Sequence, residues 1–201
     1  LIPQGSGLIL HTAGQLRLSR EQAESLRQDI LAVFAADGWV LEAPVPRRWY
    51  LSLPATPDIR TCEPALVAGR DIHPFMPQGP DASAWHVIMN EVQILLHTAG
   101  VNIERESRGL MPVNSLWFWG GGRLPDMQGS RWSHVWSDEP VSRGLAKQAG
   151  IPHHTLDDSA TAATLAANGT GDQLLVFNPD FGDDALEDWR AYMHWLDTQW
   201  L

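Results

Sequence analysis

The chain has 201 residues, 44% of them hydrophobic, which is enough to bury a full core as one large domain or two small ones. Its 14 basic and 24 acidic residues leave a net charge of -10, which argues against long-range attraction to nucleic acid or anionic membrane but leaves local basic pockets open. The lone Cys62 excludes an intrachain disulfide and a cysteine-based zinc site, and no apolar run approaches the roughly 20 residues that span a bilayer.

In chain order, residues 7–11 and 15–18 read as short strands about a turn at Gly14. Ser19-Arg20-Glu21-Gln22 is a capping box, since a Ser N-cap and a Gln three residues on can satisfy each other's backbone N–H groups. The helix it opens carries Ala23, Leu26, Ile30 and Val33/Phe34 on one face, and Gly38 ends it. Residues 39–43 and 48–53 read as a hairpin around Pro44-Val45-Pro46. The order ββαββ predicts a small α+β subdomain over residues 1–53, one helix on an antiparallel sheet.

Residues 54–80 form a proline-rich connector, with prolines at 54, 57, 64, 74, 77 and 80; it is expected to wrap the surface and carry a short helix near residues 62–67. Residues 81–201 read as an α/β domain. A helix over 81–98 places Trp85, Ile88, Val92, Leu95 and Ala99 on one stripe, with Met89 and Leu96 beside it. A second helix spans about 102–108, then strands at 114–119 and 132–137, then a helix over 139–148 closed by Gly150. A helix at 161–167, a strand at 172–178 and an amphipathic helix from 183 complete the pattern. Strands alternating with helices predict a sheet covered on both faces. The strands at 115–119 and 174–177 are expected in one sheet.

The most distinctive stretch is Pro112-Val113-Asn114-Ser115-Leu116-Trp117-Phe118-Trp119-Gly120-Gly121-Gly122-Arg123-Leu124-Pro125. It is an aromatic burst ending in three glycines and an arginine. Bare glycine backbone beside an arginine, at the mouth of a strand, can receive an anion. The competing reading is a crowded turn under tryptophans, because no Gly-Lys-Ser/Thr helix start follows. Asn114, Gly120, Gly121, Gly122 and Arg123 are therefore candidate ligand-binding residues. Arg70, Asp71 and His73 join them, a cation, a carboxylate and an imidazole within four residues. There the competing reading is a structural clamp, Asp71 accepting turn amides.

Other constellations read as structure. His86, Asn90, Gln93 and His97 line one side of the 81–98 helix, as a pocket wall or a polar seam against the connector; more than half the circumference is apolar, so the helix is expected to be largely buried. His86 and His97 lie about 16 Å apart at 1.5 Å per residue and cannot share a metal. His153-His154 beside Asp157-Asp158 has metal-ligand residue types, but adjacent side chains of extended chain point to opposite faces. Strand alternation puts Trp132, His134 and Trp136 on one face, as core or as a ring flanking a ligand. The acidic residues around 180–188 complement a helix dipole without calcium. No GxSxG, HExxH, Walker loop or Rossmann fingerprint occurs. Neither a cofactor nor a stoichiometric divalent metal is expected, and no catalytic residue is assigned.

The strings Gly69-Arg-Asp-Ile-His-Pro74, Asn90-Glu-Val-Gln-Ile-Leu-Leu-His97, Asn114-Ser-Leu-Trp-Phe-Trp-Gly-Gly-Gly-Arg-Leu-Pro125 and Arg143-Gly-Leu-Ala146 resemble the RpfE-type bacterial regulatory proteins, over nearly the whole chain from about Leu8. More distantly, Asn114 through Gly122 and Arg143 through Gly150 are similar to archaeal-type, cofactor-independent phosphoglycerate mutases of the alkaline-phosphatase superfamily. That resemblance implies an alkaline-phosphatase-like α/β sheet fragment preceded by the small ββαββ subdomain. The resemblance to the RpfE-type proteins, which carry an additional N-terminal stretch, implies that the chain is the C-terminal portion of a longer protein. The mutases' Asp-Gly-x-x-Asp with a Ser or Thr nucleophile and their late Asp-His-Ser plus His have no counterpart in residues 1–201. The expectation is a cytoplasmic, non-catalytic regulatory or interaction protein on a mutase-like scaffold. Its expected partner is a protein or a small anionic metabolite, with no nucleic acid and no membrane. The alternative is a metal-dependent phosphomutase or phosphatase relative whose metal ligands lie outside this chain.

Overall fold

The computed structural model describes residues 1–5, 7–11, 13–123, 126, 129–156, 167, 171–176 and 193. Contacts divide the chain into two compact units, residues 1–123 and 124–201. The fold is mixed α/β with a parallel sheet. Among the described residues no helix is long and apolar enough to cross a membrane.

In the first unit, β1 (Ile2–Gln4) and β2 (Gly7–Ile9) form an antiparallel hairpin. Helix α1 (Arg20–Phe34) follows, opened by the expected capping box: Ser19 Oγ accepts the Gln22 N–H at 3.2 Å, and Gln22 Oε1 accepts the Ser19 N–H at 3.3 Å. Ala23, Leu26, Ile30 and Phe34 form its buried face, while Val33 is exposed. A short 3-10 turn extends it to Gly38, whose φ of 77° reverses the chain at little steric cost. Strands β3 (Val40–Val45) and β4 (Arg48–Ser52) pair antiparallel, with a register shift between Glu42 and Val45 that accommodates Pro44.

The first two strands lie at residues 2–4 and 7–9, not at 7–11 and 15–18, and the four strands form two separate two-stranded sheets, not one. The expected strand at 15–18 is instead largely a 3-10 turn, Ala13–Leu16. Apolar spacing in a segment this short does not separate turn from strand.

After α2 (Pro64–Val67) come α3 (Ala82–Thr98) and α4 (Gly100–Ser107). One core cluster joins Leu26, Ile30 and Phe34 of α1 with Trp39, Leu41, Val92, Leu96, Ala99 and Val113. Leu26, Ile30 and Val92 are 0% exposed; full burial of such a side chain contributes about 1.5–3 kcal/mol. A smaller cluster, Leu10, Val67 and Ile72, lies where β2 meets the 68–72 turn. α3 is less buried than its sequence suggested: Val87 is 55% and Ile94 68% exposed. Trp85, Met89, Val92 and Leu96 supply its buried contact.

Residues 114–119 are not a strand. Successive side chains instead serve two cores. Leu116 and Phe118 pack on the larger cluster, Trp117 on the smaller. The stretch is a strap between clusters, so it shares no sheet with residues 174–176.

In the second unit, β5 (His134–Ser137) is the middle strand of a parallel sheet ordered β6-β5-β7, with β6 His153–His154 and β7 Gln173–Val176. α5 (Pro140–Gln148) crosses from β5 to β6. Glu139 caps it, accepting from the Val141 and Ser142 amides at 2.6 and 3.0 Å, and Gly150 at φ 69° leads out. The helices expected at 161–167 and from 183, and the strand end at 177–178, fall on or run into residues outside those described.

Candidate functional site

The candidate residues from the sequence fall into separate places in the first unit. Asp71 and His73 are held together beside β2, with Arg70 next to them in the chain. Asp71 Oδ1 accepts the Leu8 amide at 3.3 Å, the His73 amide at 3.5 Å and His73 Nδ1 at 2.9 Å. The His73 ring, then these amides, hold the Asp71 carboxyl below its ordinary pKa. Its carboxylate sits so close to Gly7 that a Cβ there would lie 3.1 Å from Oδ1. Arg70 donates to the Leu66 carbonyl at 3.3 Å and lies over the Phe75 ring at 4.6 Å. Asp71 thus accepts turn amides, while Arg70 reaches Leu66 and Phe75 rather than Asp71.

Asn114 is committed to Leu1, the residue just before β1. Its Oδ1 accepts from the Leu1 nitrogen and its Nδ2 donates to the Leu1 carbonyl, both at 2.6 Å. Trp117 Nε1 donates to the Cys62 carbonyl at 2.8 Å, fixing the strap just before the glycines.

The glycine turn is different. A Cβ on Gly120, Gly121 or Gly122 would meet nothing within 4 Å, and Gly120 has φ 69°. The turn is exposed backbone. Arg123, also exposed, donates from Nε to Thr56 Oγ1 at 3.3 Å; its other nitrogens have no hydrogen bond among the described residues. Thr56 lines an open cavity of about 280 Å³ walled by Leu53–Pro57, Asp37, Asp81, Trp39 and Trp85. Beneath it, Phe34, Trp39 and Trp85 stack while Phe118 meets both tryptophans edge-on, at centroid distances of 4.4 to 6.2 Å. Asp81 Oδ2 accepts the Asp58 amide at 2.8 Å. The described lining thus carries two carboxylates and no cation, which repels an anion from the cavity. An anion drawn to Arg123 would lie on its outer side, against the glycine backbone.

Two buried polar residues of α4 escaped the sequence reading. Asn102, 2% exposed, donates from Nδ2 to the Leu96 and Val113 carbonyls, both at 2.7 Å, and accepts the Val113 amide at 2.8 Å. Arg105, 1% exposed, donates to the Met111 carbonyl at 2.9 Å, to Gln22 Oε1 at 2.9 Å and to the Leu16 carbonyl. Burial, with Arg108 adding to it, lowers its pKa, though a guanidinium stays charged. The available signal was the Asn102–Arg105 spacing, which puts both on one face of the helix. Of the polar stripe on α3, His86 Nε2 meets the Pro77 carbonyl at 2.9 Å, a seam with the connector, while Asn90 and His97 are exposed.

In the second unit three imidazoles gather on the parallel sheet. His134 Nδ1 and His154 Nε2 are 2.9 Å apart, His153 Nε2 lies 2.7 Å from the Ser137 carbonyl, and Trp136 stacks on His154 at 4.2 Å. Trp136 Nε1 donates to Gln173 Oε1 at 2.9 Å. The adjacent histidines do part company, as extended chain dictates, but His154 finds its partner across the sheet. Among the described residues no group of three or more His, Cys, Asp or Glu side chains could hold a metal ion.

No family model matches the chain. It is distantly similar to cofactor-independent phosphoglycerate mutases. It is 39% identical over 64 residues to the 2,3-bisphosphoglycerate-independent phosphoglycerate mutase of Methanothrix thermoacetophila, covering 32% of this chain and 16% of that one. To the same-named protein of Thermoplasma volcanium it is 29% identical over 112 residues, 51% of this chain and 27% of that one. The matches therefore span 16% to 27% of the length of these curated relatives. Among solved structures, the cofactor-independent phosphoglycerate mutase of Thermoplasma acidophilum aligns with 98% of this chain and 57% of its own, at 17% identity and a TM-score of 0.48.

Proposed function

We propose that the chain is an RpfE-type regulatory or interaction module on a phosphoglycerate-mutase-like scaffold, binding a small anionic ligand at Gly120–Arg123. The supporting observation is the Arg123 guanidinium, exposed beside unobstructed glycine backbone and, among the described residues, hydrogen-bonded through Nε alone. Its planar fork suits a carboxylate or phosphate, and three consecutive glycines let an oxyanion approach main-chain N–H groups. Asn114, Arg70, Asp71 and His73 act in this reading as supports, tying the hairpin and the strap that carries the turn. Arg123→Ala should weaken binding of phosphoglycerate by at least ~1.5 kcal/mol, the lower range for a charge-assisted hydrogen bond, with little change in melting temperature. A less stable variant, with wild type unmoved by any phosphorylated compound in a thermal-shift panel, would make Arg123 a structural residue and end the ligand reading.

The mutase relatives favour one alternative: a metal-dependent phosphomutase or phosphatase whose ligands lie outside these 201 residues. Mutase turnover by the longest natural chain containing this sequence, abolished by chelator and restored by metal, would establish it over the regulatory module.

A further inference from the structure

We propose that the His134–His154 pair is an acid-sensitive latch, holding the edge strand β6 on β5 and releasing it when both rings are protonated. The facing nitrogens are 2.9 Å apart, and only one proton fits between them. With one proton the pair is hydrogen-bonded. When both rings are doubly protonated both facing nitrogens are donors, the bond is gone, and two cations stand in contact.

The consequence is mechanical because β6 is only two residues long. Its ladder to β5 consists of Val135↔His153 and Trp136↔His154, and it occupies the sheet edge. Trp136 covers one face of the His154 ring, which limits water's ability to screen a second charge.

Among the described residues no carboxylate hydrogen-bonds either ring. In β6, His153 points its Nε2 to the Ser137 carbonyl. β7 has no titratable side chain, and α5, which packs on both strands, brings Arg143 and Lys147. At the sheet end, Asp138 is engaged by the Leu156 amide at 3.1 Å, and Glu139 by the first turn of α5. Burial, then His134 and His153, push the His154 pKa down, with no carboxylate among the causes. A base whose folded pKa lies below its unfolded value of about 6.5 binds fewer protons when folded, so stability falls as pH drops through that window. The latch is closed above it.

The test is an NMR titration of the 201-residue chain, following the ring C–H signals of both histidines and amide protection at Val135. The Val135 N–H donates to the Pro152 carbonyl at 3.0 Å, at the β5–β6 seam. The expected result is a coupled pair with apparent pKa values more than about one unit apart. Val135 protection should fall about tenfold or more from about pH 7.5 to pH 5. Ser133, whose amide donates to the Asp172 carbonyl at 2.7 Å on the β7 side, should keep its protection. His154→Gln and His134→Gln each keep a polar side chain without the second charge, and should flatten the Val135 profile. Independent titration of both rings near their ordinary value, or a wild-type Val135 profile as flat as either variant's, overturns the latch.

Discussion

Single polar side chains in the first unit decide where irregular chain can go. Asn102 is the clearest case. One buried amide satisfies the Leu96 carbonyl at the end of α3 and both backbone groups of Val113, immediately before the strap. Alanine would leave the Val113 N–H and carbonyl without these partners at a buried position, while the Leu96 carbonyl keeps the Ala99 N–H at 3.2 Å. The expected loss is roughly 2–3 kcal/mol, read as a lower urea midpoint at unchanged slope, since an unsatisfied buried group costs about 1–3 kcal/mol. Asn102→Asp keeps the acceptor for Val113 but loses both donations, and should be no better than alanine. A stability change under about 0.5 kcal/mol for the alanine variant would show that water replaces the amide. Arg105 works in the same layer, its guanidinium tying α4 to the Leu16 carbonyl and the Gln22 side chain of α1. That Gln22 Oε1 also receives the Ser19 amide, so the helix cap and the buried arginine share one acceptor.

At the scale of elements, legibility followed the range of the forces involved. α1 was readable because its cap, its buried face and its terminating Gly38 all lie within twenty residues and all point the same way. α3, α5, β5 and β7 carried local signals of the same kind. The stretch 114–119 misled because an alternating aromatic run reads as a strand whether its two faces meet two sheet faces or two separate clusters. β6 is two residues long and exists through its register with β5, so nothing local could announce it. The candidate residues were legible as chemistry, not as geometry: Arg123 and Arg70 look alike in sequence and both are exposed, but one reaches Thr56 from the glycine turn and the other lies over Phe75. Connector elements are fixed more tightly than their composition suggests. Gly79, at φ 127°, sits where a Cβ would lie 2.6 Å from the Asp58 carbonyl oxygen, just before α3 begins. Gly79→Ala should therefore destabilise by about 1–3 kcal/mol or more, while Gly109→Ala, at positive φ but in open space, should cost less. Equal losses in chemical denaturation would mean that backbone strain, not the Asp58 contact, sets the cost at Gly79.

Across the whole molecule, the larger core does not respect the sequence's own punctuation. The proline-rich connector suggested a subdomain ending near residue 53, with a second beginning near 81. In the structure, Leu26, Ile30 and Phe34 of α1 share one cluster with Val92, Leu96, Ala99 and Val113, and the contact-defined division falls after Arg123. These two divisions predict different autonomous fragments. Residues 1–53 alone would expose the apolar face of α1, with two short hairpins to cover it, and a unit that small has little core to spare. Residues 1–123 contain both clusters, the Asn102 and Arg105 networks and the strap. The longer fragment should therefore unfold in one cooperative transition by tryptophan fluorescence and circular dichroism, with matching midpoints. The shorter one should show no transition at all. Cooperative folding of residues 1–53, or a featureless melt from residues 1–123, would restore the connector as a true domain boundary. The candidate ligand turn makes the outcome functional as well as structural. Gly120 to Arg123 close the first unit and hydrogen-bond back to Thr56 within it. A folded 1–123 fragment should then keep whatever anion affinity the 201-residue chain has, because the residues proposed to bind are all inside it.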